Sequence, residues 1–183
     1  MKIWQTKLSG VFVVEPTVYE DSRGYFFESF RKDKFEEAIG YSVDFVQDNE
    51  SFSKKGVLRG LHYQLPPFEQ AKLVRAVKGR ILDVAVDLRK SSPNFGKWVA
   101  VELSQYNRWQ LFIPRGFAHG FLVLSDEAIV VYKVDNYYSR EHDRGIRFDD
   151  PQISIDWPMD RTKIILSSKD AGLAFLRDAE VFE

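Results

Sequence analysis

The amino-acid sequence predicts an all-β fold of many short strands, arranged as a sandwich or barrel with a few short helices. Three observations lead there. Segments 57–64, 72–77, 81–88, 97–103, 109–113, 117–124 and 128–134 are short and rich in Val, Ile, Leu and aromatic residues, and turn residues separate them. Lys78-Gly79-Arg80 and Ser125-Asp126-Glu127 have the composition of hairpin turns. Within 81–88, Leu82, Val84, Val86 and Leu88 alternate with a set that includes Asp83 and Asp87. That period of two gives one face to the core and one to something polar.

Helical signals are few. Residues 30–39 suit a short helix with Gly40 just past its end. A second helix is expected to start at Ser167 or Ser168 as N-cap and to run through 171–176. No internal repeat or linker is visible, so residues 1–183 read as one domain. The stretch 137–158 contains Pro151, Pro158 and many charges, and reads as a long ordered connection.

Composition removes several function classes. The 183 residues are 44% hydrophobic and 29% charged, ordinary for a globular protein with a sizeable core. No apolar run is long enough to cross a bilayer, and the first residues turn polar at once, so a cytoplasmic protein without a signal peptide is expected. The absence of cysteine excludes disulfides, thiolate nucleophiles, zinc fingers and iron–sulfur ligation. A net charge of −1 speaks against a broad nucleic-acid-binding face. It leaves room for a small anionic ligand held by a few cations.

The sequence has three histidines, His62, His119 and His142. His142 sits among charged residues and reads as an exposed loop residue. A lone strand histidine is usually a hydrogen-bonded core residue, but two features set His62 and His119 apart. His62 lies in Arg59-Gly60-Leu61-His62-Tyr63-Gln64, and a cation beside a base is a costly way to fill a core. His119 ends Pro114-Arg115-Gly116-Phe117-Ala118-His119, where proline and glycine shape the entry to a strand. In a regular strand, Arg59 and His62 would point to opposite faces. If both line one site, Gly60 is the natural position of a bulge.

The same residues bear on metal binding. Pro114-x-Gly116-x-x-His119 is similar to the second motif of the cupin superfamily. The His-x-His pair of metal-binding cupins, however, reads His62-Tyr63-Gln64 here. His62, His119 and Glu69 are too few for the usual first-row metal site.

The ordered set of motifs resembles one family. The segments are Asp21-Ser22-Arg23-Gly24-Tyr25-Phe26-Phe27-Glu28, Gln47-Asp48-Asn49-Glu50-Ser51, Gly56-Val57-Leu58-Arg59-Gly60-Leu61-His62-Tyr63-Gln64, Val86-Asp87-Leu88-Arg89 with Ser92-Pro93-Asn94-Phe95-Gly96-Lys97, Ile113-Pro114-Arg115-Gly116-Phe117-Ala118-His119-Gly120-Phe121, Asp150-Pro151 with Trp157-Pro158, and Leu166-Ser167-Ser168-Lys169-Asp170. Together they are similar to the dTDP-4-dehydrorhamnose 3,5-epimerases and span nearly the whole chain. The resemblance implies a cupin-type jelly-roll barrel, a homodimer, no cofactor and no metal. It implies a dTDP-4-keto-6-deoxyhexose as substrate.

The resemblance also implies roles. His62 matches the general base, Tyr132 the general acid, Asp170 the carboxylate paired with the histidine, and Lys72 the cation near the sugar carbonyl. Arg23, Glu28, Gln47, Asn49, Arg59, His119 and Lys169 match substrate-contacting positions, and Tyr138 an aromatic that stacks on thymine. Asp143 stands where the family usually has glutamate, and Asp48 where asparagine is more usual. Asp48 therefore adds a negative charge beside a binding segment. Asn94, in place of a more usual threonine, adjusts a turn.

Epimerisation next to a ketone needs a base, a stabiliser of the enolate and an acid on the other face. Histidine suits the base because its unperturbed pKa is about 6.5. A carboxylate behind it fixes the tautomer. From the residues alone, Asp83 competes with Asp170 for that place, and the resemblance favours Asp170. Three rival readings keep much of this pattern: an epimerase acting at only carbon 3 or carbon 5, a metal-dependent cupin, and a sugar-nucleotide binding module without catalysis.

Overall fold

A computed structural model describes residues 1–183. All seven expected strands are present, with ends shifted by a residue or two. They are β6 (Leu58–Gln64), β7 (Lys72–Lys78), β8 (Arg80–Asp87), β9 (Trp98–Ser104), β10 (Gln110–Ile113), β11 (Phe117–Val123) and β12 (Glu127–Val134). Six more short strands join them: β1 (Lys2–Gln5), β2 (Phe12–Glu15), β3 (Tyr19–Asp21), β4 (Gly24–Phe26), β5 (Gln47–Lys54) and β13 (Asp143–Gly145). The last lies inside the stretch expected to be a connection, where it pairs with β6.

Two antiparallel sheets face each other in a jelly-roll arrangement. One has the order β1-β2-β10-β7-β12-β5 and the other β13-β6-β11-β8-β9. No ladder joins them edge to edge. Strands β3 and β4 form a separate hairpin.

Three apolar clusters hold these layers. The first lies between the sheets and includes Val74, Ala85, Leu111, Phe117, Phe121 and Val130. The second lies on the outer face of the five-stranded sheet, where Leu82, Val84, Val86 and Leu88 meet the C-terminal arm at Phe148, Ile153, Trp157 and Leu176. The third packs the helix α1 (Lys32–Ile39) through Phe35 and Ile39 onto Val14, Leu73 and Phe112 of the other sheet. Strand β8 is therefore buried on both faces. Its acidic residues Asp83 and Asp87 point into the sandwich, not toward solvent as a surface strand's would, and both are fully buried.

Helix α1 ends as expected: Gly40 caps it in the left-handed region at φ 86°. The second helix is shorter than expected. Ser167 does cap it, accepting from the Asp170 backbone N–H, but α2 covers only Ser168–Ala171 before Gly172 closes it. A separate 3-10 turn follows at Leu176–Asp178.

The bulge in β6 falls at Gly60. His62 pairs with His119, and Arg59 pairs with Phe121, so three steps along β6 oppose two along β11. Gly60 has φ +120°, a conformation L side chains rarely adopt. A Cβ there would lie 2.6 Å from Gly120 Cα and 2.7 Å from the His119 carbonyl oxygen. The extra residue turns Arg59 and His62 to the same side of the sheet.

Gly60→Ala is expected to lower unfolding free energy by about 2 kcal/mol or more, through strain and backbone clash. Gly172→Ala, with no atom closer than 3.5 Å to the new Cβ, is expected to stay within about 0.5 kcal/mol. Denaturant titration of both variants checks the contrast; equal stabilities would remove the bulge constraint.

Candidate active site

One cleft enters the sandwich between the two sheets. Its deeper part has a volume of about 440 Å³ and its outer part about 190 Å³, and His62, Lys72, Tyr132 and Lys169 line both. The five-stranded sheet supplies Arg59, His62 and His119, and the six-stranded sheet supplies Lys72 and Tyr132. Asp170 and Lys169 come from α2.

The C-terminal arm reaches the cleft by extending β6. Ile165 forms a parallel bridge to Val57, with Leu58 N–H donating to the Ile165 carbonyl at 3.0 Å and Ile165 N–H donating to Gly56 at 2.8 Å. Ser167 then starts α2, which places Asp170 Oδ1 2.6 Å from His62 Nε2. The Gly60 N–H, freed by the bulge, approaches the other oxygen at 3.3 Å. Burial alone would raise the Asp170 carboxyl. The hydrogen bond and charge of His62, with the Gly60 and Ser167 contacts, outweigh it and hold the group below the usual carboxylate range. This settles the partner of His62 as Asp170. Asp83 instead takes His119, with Oδ1 2.7 Å from Nε2.

Two histidine–carboxylate pairs therefore stand side by side. His62 is half-buried at the cleft wall, and His119 is buried behind it. Burial pushes His119 below the ordinary histidine value, against the pull of Asp83. Tyr132 faces them from the opposite sheet, with its ring centroid 6.4 Å from that of His119. Burial raises the Tyr132 hydroxyl, so it carries its proton at neutral pH. Lys72 is buried, and desolvation lowers it from 10.5 to about 8 although Asp143 and Asp83 pull the other way.

The outer part of the cleft gathers several of the residues expected to contact substrate, Gln47, Asn49, Tyr138, Asp143 and Lys169. Gln47 Nε2 donates to Asn49 at 2.9 Å, and the Tyr138 N–H donates to Gln47 at 3.3 Å. Tyr138 donates its hydroxyl to Asp143 at 3.1 Å, and Lys169 pairs with the same carboxylate oxygen. The Asp143 charge is thus partly neutralised by a neighbouring ammonium. Arg59 is anchored by Ser53 at 3.0 Å and by the Phe52 carbonyl at 3.2 Å.

Three expected residues lie elsewhere. Asp48 alternates with Gln47 and Asn49, so it leaves the outer face of β5 and pairs with Lys133 at 3.0 Å. Arg23 sits in the turn of the β3–β4 hairpin, bound to Asp21 at 2.6 Å, and Glu28 is 3.5 Å from Arg31. Neither Arg23 nor Glu28 lines the cleft. In the other direction, Ser51, Phe121 and Ser167 line it without having been expected as site residues. Ser51 and Phe121 fall in the expected motifs at inward strand positions, which was their only signal.

The donor set of a metal-binding cupin is not assembled. His62 and His119 each give Nε2 to a carboxylate. Gln64, in the place of the second histidine, spends its amide on Phe68, Tyr137 and Ser139. Glu69 lies 3.8 Å from Arg115 instead of in the cleft.

Comparison with known proteins decides the family. A family model described as dTDP-4-dehydrorhamnose 3,5-epimerase matches residues 5–178. The chain belongs to this family. A Shigella flexneri protein named dTDP-4-dehydrorhamnose 3,5-epimerase is 56% identical over 182 residues, covering 100% of this chain and 99% of the relative. The crystal structure of the epimerase from Elizabethkingia anophelis superposes with a TM-score of 0.94 at 49% identity, covering 97% of each chain. The Legionella pneumophila enzyme, solved in complex with dTDP-4-keto-L-rhamnose, gives 0.94 at 47% identity and covers 98% of this chain and 94% of that one. No helix of the family member described here is long and apolar enough to cross a membrane.

Lys72 carries a stability cost that the epimerase fold has to absorb. A lysine lowered in the folded state destabilises fully below about pH 8, and the penalty fades as pH rises toward 10.5. Lys72→Met is expected to raise unfolding free energy by about 2 to 3 kcal/mol at pH 7. The gain shrinks above pH 8. Denaturant titration at pH 7 and pH 10 checks it; a destabilised variant at pH 7 would contradict the assignment of Lys72 as a buried cation.

Proposed function

We propose that this chain epimerises carbons 3 and 5 of dTDP-4-keto-6-deoxy-D-glucose, giving dTDP-4-keto-L-rhamnose for dTDP-L-rhamnose biosynthesis. The observation that carries the reading is the His62–Asp170 pair facing Tyr132 across one cleft, with Lys72 buried beside both. Both carbons flank the C4 carbonyl, so their protons are acidic. Asp170 accepts from His62 Nε2–H, which leaves Nδ1 to take the proton. The electron pair of the broken C–H bond moves to the C4 oxygen, where the Lys72 ammonium stabilises the enolate. Tyr132 then delivers its hydroxyl proton to the opposite face of the carbon. Proton return through solvent restores Tyr132 and His62. No hydride moves, so the reaction asks for no redox cofactor.

In this reading Tyr138 stacks on thymine, Gln47 and Asn49 contact the nucleotide end, and Arg59 and Lys169 face the diphosphate. His119 contacts the sugar, and Asp143 orients Tyr138 and Lys169. Residues 1–183 act as one catalytic domain in the cytoplasm.

The reading includes a homodimer. Tyr19, Tyr25 and Phe26 on the β3–β4 hairpin are each at least 60% exposed, and Arg23 and Glu28 project from the same region. A second copy that lays this hairpin against the cleft would bury the aromatics and bring both charged residues to the substrate. A monomer in sedimentation at working concentration would remove this part.

The test is solvent exchange. Chelator-treated protein is incubated with dTDP-4-keto-6-deoxyglucose in heavy water, and the sugar is read by mass and proton NMR. Deuterium at both carbons, with the inverted ketosugar trapped by a reductase, is expected. Deuterium at one carbon would mean a single-site epimerase, and none, with tight binding, a binding module. Tyr132→Phe is expected to retain exchange while inversion falls by about 100-fold or more. Equal loss of both would take the acid role from Tyr132.

A further inference from the structure

Asp83 is a charged residue that the proposed reaction leaves without a task. Its side chain is fully buried inside the sandwich. Oδ1 holds His119 Nε2, while Oδ2 is buried and has no hydrogen-bond donor. A carboxylate buried with one of its oxygens unpaired is costly, and an apolar residue would fill a β8 core position more cheaply. What it touches explains its presence. His119 lies opposite His62 in the β6–β11 ladder, lines the cleft, and makes no protein hydrogen bond through Nδ1.

Given the proposed epimerase reaction, on which this inference rests, we infer that Asp83 is a positioning residue. It fixes His119 with Nε2–H turned to the carboxylate and Nδ1 turned to the cleft.

The neutral ring then offers a lone pair at Nδ1, able to accept a hydrogen bond from a sugar hydroxyl beside the reacting ketone.

Asp83→Asn keeps the shape and removes the charge. At pH 7, kcat/KM is expected to fall by about tenfold or more, and a His119→Asn background should abolish most of that further loss. An unchanged kcat/KM in a folded Asp83→Asn variant, or an equal loss in the His119→Asn background, would overturn the proposal. Should Asp83→Asn fail to fold, nitrogen-15 NMR of the parent histidines gives an independent readout. With His62 and His142 assigned by substitution, His119 is expected as the Nε2–H tautomer, and an Nδ1–H tautomer would overturn the proposal. The NMR result does not depend on turnover. Parent protein that shows no exchange at all would instead count against the epimerase reading.

Discussion

The hydrogen bond between His62 and Asp170 joins residues 108 positions apart, and most of the architecture is arranged so that it can form. It needs the C-terminal arm to cross the outer face of the five-stranded sheet, which the apolar cluster around Val84, Val86, Phe148 and Trp157 provides. It needs Ile165 to extend β6 beside Val57, so that α2 starts at a fixed place. It also needs the bulge at Gly60, which turns His62 to the cleft side already held by Arg59 and exposes an N–H to Asp170. A strand without that bulge would send either the cation or the base into the wrong layer.

The interior is polar where it could have been apolar. Lys72, Asp83, His119 and Asp170 are all buried, and Ser51 and Ser53 face inward where a structural sheet would carry Val or Ile. Each such group weakens the fold unless it is paired. The structure offsets this by pairing each histidine with its own carboxylate and by sealing the outer faces with two further apolar clusters. The pairs share a layer but differ in exposure. The half-buried one can reach a substrate carbon, and the buried one shapes what surrounds it.

Much of this was legible in sequence, and the gaps have physical reasons. The apolar strands β6 to β12 were readable because hydrophobic periodicity reports burial. Strand β5 was not: its inward residues Gln47, Asn49 and Ser51 are polar because they line the cleft, and Ser53 holds Arg59, so function erased the alternation. The bulge at Gly60 followed from parity once Arg59 and His62 were both expected to line one site. The Asp170–Asp83 question could not be closed from residues, since pairing over such separations depends on how the arm packs. Asp48 shows the limit of motif reading. It belongs to a binding segment by position, yet alternation turns its side chain to the opposite face, toward Lys133. Arg23 and Glu28 likewise occupy expected positions in sequence but not in the cleft of their own chain.

In the proposed reaction His62 removes the proton from both carbons. The most direct measurement is heavy-water exchange into the ketosugar by His62→Ala, with dTDP binding and thermal unfolding measured on the same sample. Exchange at carbons 3 and 5 is expected to fall together by at least about 1,000-fold while the variant still binds dTDP and stays folded, less stable by about 1 to 3 kcal/mol for the lost partner of Asp170. Exchange at either carbon close to the parent rate would contradict it, and would mean that another group in the cleft takes that proton.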